Sequence, residues 1–332
     1  MIKVALVGAG RMGNVHFNAY KAIPDVKVVA AVDVDLQAAK QRLNDSNIKF
    51  YDNLDCMLEN EKVDMVDICT PTYLHAEQAV KIMDKGLHVI CEKPIALTVE
   101  SAKEMVDAAN RNNVFFMVAQ VIRFWPEYEY LKKVYDEKIY GKLNQILFTR
   151  VGEMTKTTWK DWIRDISKSG MVPIDLHIHD VDFILHMLGK PKSVTSFSME
   201  NGKNLSWINT HYEYDDTIVE AEGAWYDPKF PFSMSYRACF EKAILEYKGN
   251  KLMLYKNNGE STQIHLEDVK ATSQLNVGSV NGYQYEIEYF VNCVRNNVPP
   301  KRITPEESVL SLEVVLKELE SARAGRKVNL SC

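Results

Sequence analysis

Short apolar runs alternate with longer, helix-like segments over the first 120 residues of the chain. Short runs of this kind are typical of strands that are buried on both faces, and the intervening segments are long enough for helices. The pattern therefore predicts consecutive βαβ units and a parallel sheet. The predicted strands lie at 3–9, 26–33, near Tyr51, and at 64–71, 87–94 and 114–120.

Beyond about residue 122, apolar and polar residues alternate with a period of two in several runs. Such alternation is typical of antiparallel strands that turn one face to the core and the other outward. We predict an antiparallel sheet, with one face that packs on helices or on another subunit. A first strand is predicted at 143–151, and the alternating runs lie at 193–199, 206–214, 217–226, 232–240 and 243–247.

The last helix has clear start and stop signals. Thr304 is a suitable N-cap, Pro305 occupies the first helical position, and Glu307 completes a capping box. Gly325 follows the expected end of the helix. We predict a helix over 304–325 and expect it to pack back on the N-terminal domain.

Three glycines follow the first predicted strand in the order G-x-G-x-x-G. Gly8 permits a tight turn, Gly10 lets a pyrophosphate approach the backbone, and Gly13 lets the next helix pack closely on the sheet. The helix that begins at Arg11 and Met12 then presents free N–H groups and a positive dipole end to the phosphates. Alternatively, the three glycines only form a turn and bind no phosphate, but the flanking strand and helix disfavour this interpretation.

Asp33 ends the second predicted strand, 20 residues after Gly13. An acid in this place hydrogen-bonds the adenosine ribose and repels a 2′-phosphate. Because Val34 rather than an arginine follows it, NAD is favoured over NADP. We therefore predict a Rossmann-type doubly wound parallel sheet that binds NAD in residues 1–122. A second domain for substrate binding and oligomerisation is predicted in residues 123–332.

The segment 170–189, GMVPIDLHIHDVDFILHMLG, predicts a helix that is apolar on nearly every side. On a helical wheel, Asp175, His179, Asp182 and His186 fall in one narrow stripe. Asp175 is placed to orient His179 and raise its basicity, which suits a general base. A structural Asp–His pair that holds helix to sheet stays open as an alternative. A metal site lacks a clear third ligand, and we predict none.

The ends of the predicted parallel strands carry the other candidate residues. Ligands of open α/β sheets bind at the carboxyl ends of the strands, so Lys93 of the E-K-P sequence is expected to bind a substrate oxygen and stabilise its developing charge. A surface lysine in a loop is the alternative. By the same reasoning, the cofactor-binding candidates at strand ends are Thr70, Pro71, Glu92, Lys93 and Gln120.

Two further residues are candidates for substrate binding. Arg123 follows the sixth predicted strand and is expected to reach the same crevice. Trp162 offers an indole ring on which a sugar ring can stack. For both residues, a core or interface role is an equally open alternative.

Composition and charge narrow the range of partners. The net charge is −5 and no long basic run occurs, which argues against nucleic acid. No apolar stretch reaches the roughly 18 residues of a membrane span. Six scattered cysteines include no C-x-x-C pair, which favours neither a zinc site nor a disulfide framework. Reduced thiols of this kind are typical of a cytoplasmic protein.

The glycine loop, Asp33, E-K-P at 92–94 and DLHIHDVD at 175–182 occur together and in this order. This combination, which spans essentially the whole chain, resembles the Gfo/Idh/MocA family of oxidoreductases, and most of all its inositol dehydrogenase branch. The resemblance implies that the second domain is an open, mostly antiparallel sheet, through whose face a homodimer or homotetramer forms. It also implies that Lys93, Asp175 and His179 act on a ring hydroxyl. Many relatives have Gly-Gly before the aspartate, where this chain has Ser169-Gly170-Met171.

Together, these features predict an NAD-dependent dehydrogenase that oxidises a secondary hydroxyl of a cyclic polyol or sugar. His179 is the expected general base, with Lys93 as the alternative proton acceptor. A lyase or glycosidase that uses bound NAD in an internal redox cycle is one rival hypothesis. A non-catalytic sensor of NAD or sugar is the other, which the candidate general base disfavours.

Overall fold

The computed structural model describes residues 1–155, 158–201, 204–266 and 281–330. It divides into two compact units. Among the described residues, unit 1 contains 1–124 and 281–309. Unit 2 contains the described residues of 125–266 and of 310–330. The prediction of contiguous domains at 1–122 and 123–332 is thus wrong in one respect, because the chain returns to unit 1 after residue 280.

The described helices and strands have the following bounds. The helices are α1 (Arg11–Lys21), α2 (Leu36–Leu43), α3 (Leu54–Asn60), α4 (His75–Met83), α5 (Val99–Asn112), α6 (Pro126–Asp136), α7 (Ile166–Ser169), α8 (Ile178–Leu188), α9 (Asn281–Asn296) and α10 (Pro305–Ala324). The strands are β1 (Ile2–Val7), β2 (Val26–Val32), β3 (Lys49–Tyr51), β4 (Met65–Ile68), β5 (His88–Glu92), β6 (Phe116–Ala119), β7 (Leu143–Glu153), β8 (Ser193–Asn201), β9 (Asn204–Glu213), β10 (Ile218–Tyr226), β11 (Ser233–Phe240), β12 (Ala243–Lys248), β13 (Lys251–Lys256), β14 (Ser261–Ile264) and β15 (Val328–Asn329).

Unit 1 is built on a six-stranded sheet with the order β3-β2-β1-β4-β5-β6. All of its strand pairs are parallel, which confirms the Rossmann-type prediction. Strands β4 and β6 are buried at every residue, as expected for a parallel sheet with helices on both faces. Helix α9, which the sequence pattern did not predict, packs against α1 and accounts for the return of the chain to this unit.

Unit 2 is built on a nine-stranded sheet with the order β14-β13-β12-β11-β7-β10-β9-β8-β15. Only β7 and β10 pair in parallel among its described strands, so the prediction of a mostly antiparallel sheet is confirmed. Strands β13 and β14 extend it beyond the predicted set. The ring of Tyr128 on α6 packs edge-on against Phe183 and Tyr236 in the core behind the sheet.

Helix α10 begins as its capping signals predict. The backbone N–H of Glu307 donates to the Thr304 hydroxyl at 3.3 Å, and the Thr304 N–H donates to the Glu307 carboxylate at 2.9 Å. Gly325 ends the helix with a φ of +62°. The expectation that the whole helix packs on the N-terminal domain is wrong, because Ser311 and Ser321 donate hydrogen bonds within unit 2. Among the described residues, no helix combines the length and hydropathy of a transmembrane segment.

Candidate active site

The glycine loop of unit 1 has the close contacts that its sequence implies. Gly8 follows β1 with a φ of +92°, and a Cβ atom there would lie 2.8 Å from the backbone of Cys69 and Thr70. A Cβ atom on Gly13 would lie 2.0 Å from the carbonyl oxygen of Gly8. Glycine is therefore required at both positions, because any side chain would push apart the loop, the β4 end and α1.

Gly10 differs from these two glycines because it faces open space. A Cβ atom at Gly10 would have no atom within 4 Å, and Gly10 is the N-cap of α1. The first turn of α1, which contains Arg11, Met12 and Gly13, carries N–H groups that the helix itself cannot satisfy. The space and the donors fit a pyrophosphate group at the end of the helix dipole.

Asp33 lies directly beside this loop, at the end of β2. One of its carboxylate oxygens accepts a hydrogen bond from the Ala9 N–H at 2.8 Å, and the other accepts one from the Asp35 N–H at 2.9 Å. Each oxygen keeps a further lone pair. The carboxylate is thus fixed where it can accept hydrogen bonds from ribose hydroxyls, as predicted for NAD.

The turns that follow β4 and β5 are joined by a buried histidine. The two ring nitrogens of His75 lie 2.9 Å from the carbonyl oxygen of Thr70 and 2.9 Å from that of Pro94. Burial lowers the pKa of His75, and a neutral ring donates to one of these carbonyls at a time. The link keeps Thr70 and Pro71 beside the E-K-P turn, where a bound cofactor is expected.

Glu92 and Lys93 occupy that second turn. The Glu92 side chain is buried, and its Oε2 accepts a hydrogen bond from the Lys93 backbone N–H at 3.0 Å. The Lys93 side chain is partly exposed, and the Lys93–Pro94 peptide bond is cis. The turn therefore lies at the carboxyl edge of the sheet with its lysine partly exposed, and the role of Lys93 in substrate binding stays a prediction.

Gln120 and Arg123, which follow β6, have very different surroundings. Gln120 is buried, and both polar atoms of its carboxamide are without a hydrogen-bond partner among the described residues. Such a group calls for a ligand, and an amide or hydroxyl group of a dinucleotide would satisfy it. Arg123 is also buried, but its Nη1 donates to the carbonyl of Arg302 at 3.0 Å and to Glu307 at 3.1 Å.

The surroundings of Arg123 do not support the predicted substrate contact. Its side chain is 1% exposed and is held by a segment that the sequence did not place in unit 1. We therefore assign Arg123 to the structure of unit 1 and leave it out of the candidate site.

In unit 2, the segment 170–189 is not the uninterrupted α-helix that the sequence predicted. Gly170 ends α7 with a φ of +66°, and a Cβ atom there would lie 2.5 Å from the Ile174 side chain. Met171 follows with a φ of +53°, and Val172–His177 form a π-helix that continues into α8. Because a π-helix has more residues per turn, the stripe of four ionisable residues drawn at 100° per residue is only partly correct.

Asp175 and His179 are partly exposed, whereas the residues between them are buried. They lie four residues apart in one continuous helical segment, so their side chains lie on the same side. Asp182 is different, since it is fully buried and accepts a hydrogen bond from Ser311 at 3.0 Å. The pair Asp175–His179 thus remains the candidate for chemistry in this unit, and Asp182 is structural.

Two buried side-chain pairs that the sequence did not reveal support this helical segment. The His177 Nε2 lies 3.1 Å from a carboxylate oxygen of Glu318 on α10. Arg150 on β7 holds Asp180 through two hydrogen bonds of 2.8 and 2.9 Å. Alternate residues of β7 face the core, and Arg150 falls on this buried face. The alternation was the one sequence signal for the Arg150–Asp180 pair.

The glycine of β10 makes room for one of these pairs. A Cβ atom on Gly223 would lie 3.0 Å from the Cβ of His177, which is closer than nearly all real contacts. Trp162, the remaining predicted substrate contact, lies in a 3₁₀ segment and packs partly buried on a cluster that includes Met171 and Leu176. Its neighbour Trp159 is exposed beneath the amine of Lys160.

Two family profiles match most of the chain. The profile described as "Oxidoreductase family, NAD-binding Rossmann fold" matches residues 2–120, and the profile described as "GFO/IDH/MocA C-terminal domain" matches residues 128–225. Together the two matches include the glycine loop, Asp33, the E-K-P turn and the Asp175–His179 pair. They thus contain every residue that remains in the candidate site.

Similarity to individual proteins extends over almost the full length. The chain is 24% identical to D-glucoside 3-dehydrogenase of Escherichia coli (strain K12) over 99% of its own length and 97% of that protein. It is 25% identical to scyllo-inositol 2-dehydrogenase (NAD(+)) of Bacillus subtilis (strain 168) over 99% and 96%.

A solved structure shows the same fold. Levoglucosan dehydrogenase in complex with NADH and levoglucosan matches with a TM-score of 0.87 over 100% of both chains, at 18% sequence identity. The chain therefore belongs to the Gfo/Idh/MocA family, and it is an oxidoreductase whose cofactor is NAD.

Proposed function

We propose that the enzyme oxidises a secondary hydroxyl group of a cyclic polyol or sugar to a ketone. The observation that carries this proposal is the Asp175–His179 pair, which stays partly exposed in a helical segment whose other residues are mostly buried. A buried segment that keeps an imidazole and a carboxylate accessible has the composition of a general-base site. The two full-length relatives, which act on a glucoside and on an inositol according to their names, support the substrate class.

The proposed roles of the residues follow from their chemistry. His179 accepts the hydroxyl proton as general base, and Asp175 orients its ring and stabilises the imidazolium that forms. Lys93 donates a hydrogen bond to the substrate oxygen and stabilises the developing alkoxide, or takes the proton in place of His179. NAD, when bound, supplies the hydride acceptor at this site. Gln120 and Asp33 hold that cofactor through its polar groups.

Substitution of the proposed catalytic residues tests these roles. His179→Ala and Lys93→Ala should each lower turnover by roughly 10²–10⁴-fold, while the dissociation constant for NADH stays near that of the parent enzyme. His186→Ala is the matched control, because His186 is a partly exposed histidine on the same helix. Unchanged turnover in both His179→Ala and Lys93→Ala would remove the mechanism.

The reaction itself is tested with D-glucosides, levoglucosan and the isomeric inositols. The proposal predicts NADH formation from NAD with at least one of these compounds. Conversion of a compound without release of NADH would instead support a lyase or glycosidase with an internal redox cycle. Binding of a compound without any conversion would support a sensor.

We propose further that the enzyme is a homodimer or homotetramer, formed through the outer face of the nine-stranded sheet. Phe197 and Met199 lie on this face of β8 and are 63% and 65% exposed. Light scattering should show a smaller species for Phe197→Lys/Met199→Lys than for Ile139→Lys, a change at an exposed apolar residue outside this sheet. An unchanged mass would contradict the proposed interface.

We also propose a cytoplasmic location for the enzyme. Five of the six cysteines belong to the described residues, and all five are free thiols. Free thiols persist in a reducing compartment. Recovery of the protein in the cytoplasmic fraction is expected, and recovery outside the cell would contradict the proposal.

A further inference from the structure

A buried histidine of α1 lies between two carboxylates of the parallel sheet in unit 1. The His16 Nδ1 lies 2.9 Å from Oδ2 of Asp67 on β4, and its Nε2 lies 3.1 Å from Oε1 of Glu92 on β5. His16 and Asp67 are completely buried, and Glu92 is nearly so. The contact joins the helix that follows the glycine loop to the neighbouring strands β4 and β5.

Both ring nitrogens of His16 face carboxylate oxygens, which is the arrangement that a doubly protonated ring requires. Burial lowers the pKa of His16, but the Asp67 carboxylate and the Cys69 thiol outweigh this effect and raise the pKa well above its usual value. The ring is therefore an imidazolium that donates one hydrogen bond to each strand. Charge-assisted hydrogen bonds of this kind are stronger than neutral ones.

The other groups around His16 complete the charge balance. The Tyr20 hydroxyl donates to Asp67 at 2.9 Å, and Tyr283 lies with its ring centre 6.2 Å from that of His16. Burial and the Glu92 carboxylate raise the pKa of Glu286 well above its usual value, so Glu286 is protonated. One imidazolium thus lies between two carboxylates, next to a neutral glutamic acid.

His16, Asp67 and Cys69 also offer metal-ligand atoms that lie within 4.8 Å of one another. A metal ion would bind only one of the ring nitrogens, whereas both are already directed at carboxylates. The imidazolium accounts for both contacts. The geometry therefore favours a hydrogen-bonded cation over a metal ion at this position.

Glu92 carries the influence of His16 to the E-K-P turn. While its Oε1 lies beside His16, its Oε2 accepts the hydrogen bond from the Lys93 N–H at 3.0 Å. On the other side of Lys93, the Pro94 carbonyl is held by His75. Lys93 is thus fixed from both sides, by one buried histidine through Glu92 and by another through Pro94.

We propose that His16 is a positioning residue for Lys93, and that it acts through the carboxylate of Glu92. This inference rests on the proposed role of Lys93 in binding the substrate oxygen. Without the imidazolium, Glu92 has a buried charge with no cation beside its Oε1, and its side chain leaves the geometry that holds the Lys93 N–H. The lysine amine is then less well placed for the transition state.

The first test is amide hydrogen exchange in the E-K-P turn, which needs no substrate. His16→Gln keeps the size of the side chain but cannot form a cation that donates on both sides. Exchange in the peptide that covers residues 90–96 should become about tenfold faster or more. His88→Gln is the control, because His88 is a half-buried histidine at the other end of β5 and does not contact Glu92. Glu92→Gln should have the same effect as His16→Gln, and it replaces that variant if His16→Gln fails to fold.

The second test is a double-mutant cycle on turnover with a compound that the enzyme oxidises. His16→Gln should lower turnover by about 10–100-fold with little change in the dissociation constant for NADH. In a Lys93→Ala background, His16→Gln should cause no further loss, because its effect passes through the lysine. Full turnover of Lys93→Ala alone would instead overturn the proposed role of the lysine.

Three outcomes would overturn the positioning role itself. The first is unchanged exchange in the 90–96 peptide of both His16→Gln and Glu92→Gln. The second is a full further loss of turnover when His16→Gln is added to Lys93→Ala, which is the result expected if His16 is only structural. The third is a stoichiometric metal ion in the purified protein that His16→Gln removes.

Discussion

The two units of the molecule assemble their candidate site residues in different ways. In unit 1, the glycine loop is a backbone feature of one turn and the first turn of α1, and its glycines let it pack closely against the end of β4. In unit 2, Asp175 and His179 are displayed by a helical segment whose neighbours are held by residues far along the chain. Asp182 and its partner Ser311, for example, are 129 positions apart. A site made from backbone follows local rules, whereas a site made from side chains depends on tertiary contacts.

Breaking the buried ion pair of unit 2 should have the largest effect. Arg150→Met leaves the Asp180 carboxylate buried without its cation, which should lower the free energy of unfolding by about 3–5 kcal/mol. Chemical denaturation measures the loss. Lys132→Met, which breaks an exposed pair with Asp136 on α6, should cost less than about 1 kcal/mol.

The double variant Arg150→Met/Asp180→Leu sharpens this result. Because it removes both charges, it should be more stable than Arg150→Met alone. Equal costs for Arg150→Met and Lys132→Met would mean that the long-range pair does not hold this helical segment in place. The claim that the candidate residues of unit 2 depend on long-range side-chain contacts, unlike the glycine loop of unit 1, would then be wrong.

The next effect distinguishes two glycines of the same loop in unit 1. Gly13→Ala places a Cβ atom 2.0 Å from the Gly8 carbonyl oxygen, so we expect a loss of about 1–3 kcal/mol in stability together with weaker NADH binding. Gly10→Ala meets no atom of the protein within 4 Å and should fold normally. Its methyl group would occupy the space for the pyrophosphate, so its NADH dissociation constant should rise about tenfold or more.

Thermal unfolding and a fluorescence titration with NADH separate these outcomes. Normal NADH binding by Gly10→Ala would show that the phosphates do not approach the loop at this position. Unchanged stability of Gly13→Ala would show that α1 does not depend on close contact with the loop.

The sequence predicted most of what the backbone determines. The glycine loop, Asp33 at the end of β2 and the capping box of α10 each carry a short sequence signal, and all are present. The return of the chain to unit 1 through α9 was not predicted, because no local pattern states which sheet an amphipathic helix will cover.

The side-chain networks were the part that sequence reasoning missed. The wheel drawn at 100° per residue could not anticipate the π-helix that contains Asp175. Nor could it show that Ser311, 129 positions away, donates a hydrogen bond to Asp182 and makes it structural. His16 and Glu92 are 76 positions apart, and their pairing becomes visible only when β5 and α1 lie side by side. The buried contacts of Arg123 favour the structural alternative over substrate binding, and they could not be predicted because its partners come from the unpredicted return segment.

The smallest effect is a dependence of stability on pH in unit 1. Glu286 has a raised pKa because it is buried and lies near the Glu92 carboxylate. Above about pH 4.5 the unfolded chain loses this proton while the folded chain keeps it, so the free energy of unfolding falls as the pH rises. Glu286→Gln removes this titration, and its stability relative to the parent should increase by up to about 1.4 kcal/mol per pH unit.

Denaturant unfolding at several pH values measures this difference. Glu288→Gln is the control, because Glu288 is only half-buried on the same helix. A constant difference between Glu286→Gln and the parent at all pH values would contradict a protonated Glu286. Glu286 would then have to be counted as a third carboxylate near His16.

The most direct test of the proposed function follows the hydrogen atom that is transferred. A ring compound that the enzyme oxidises is labelled with deuterium at the reacting carbinol carbon, and the cofactor is examined by mass spectrometry after turnover with NAD. The account predicts that the deuterium appears in released NADH together with one equivalent of ketone. Deuterium that remains in the product, or the absence of NADH from every glucoside, anhydrosugar and inositol tested, would contradict it.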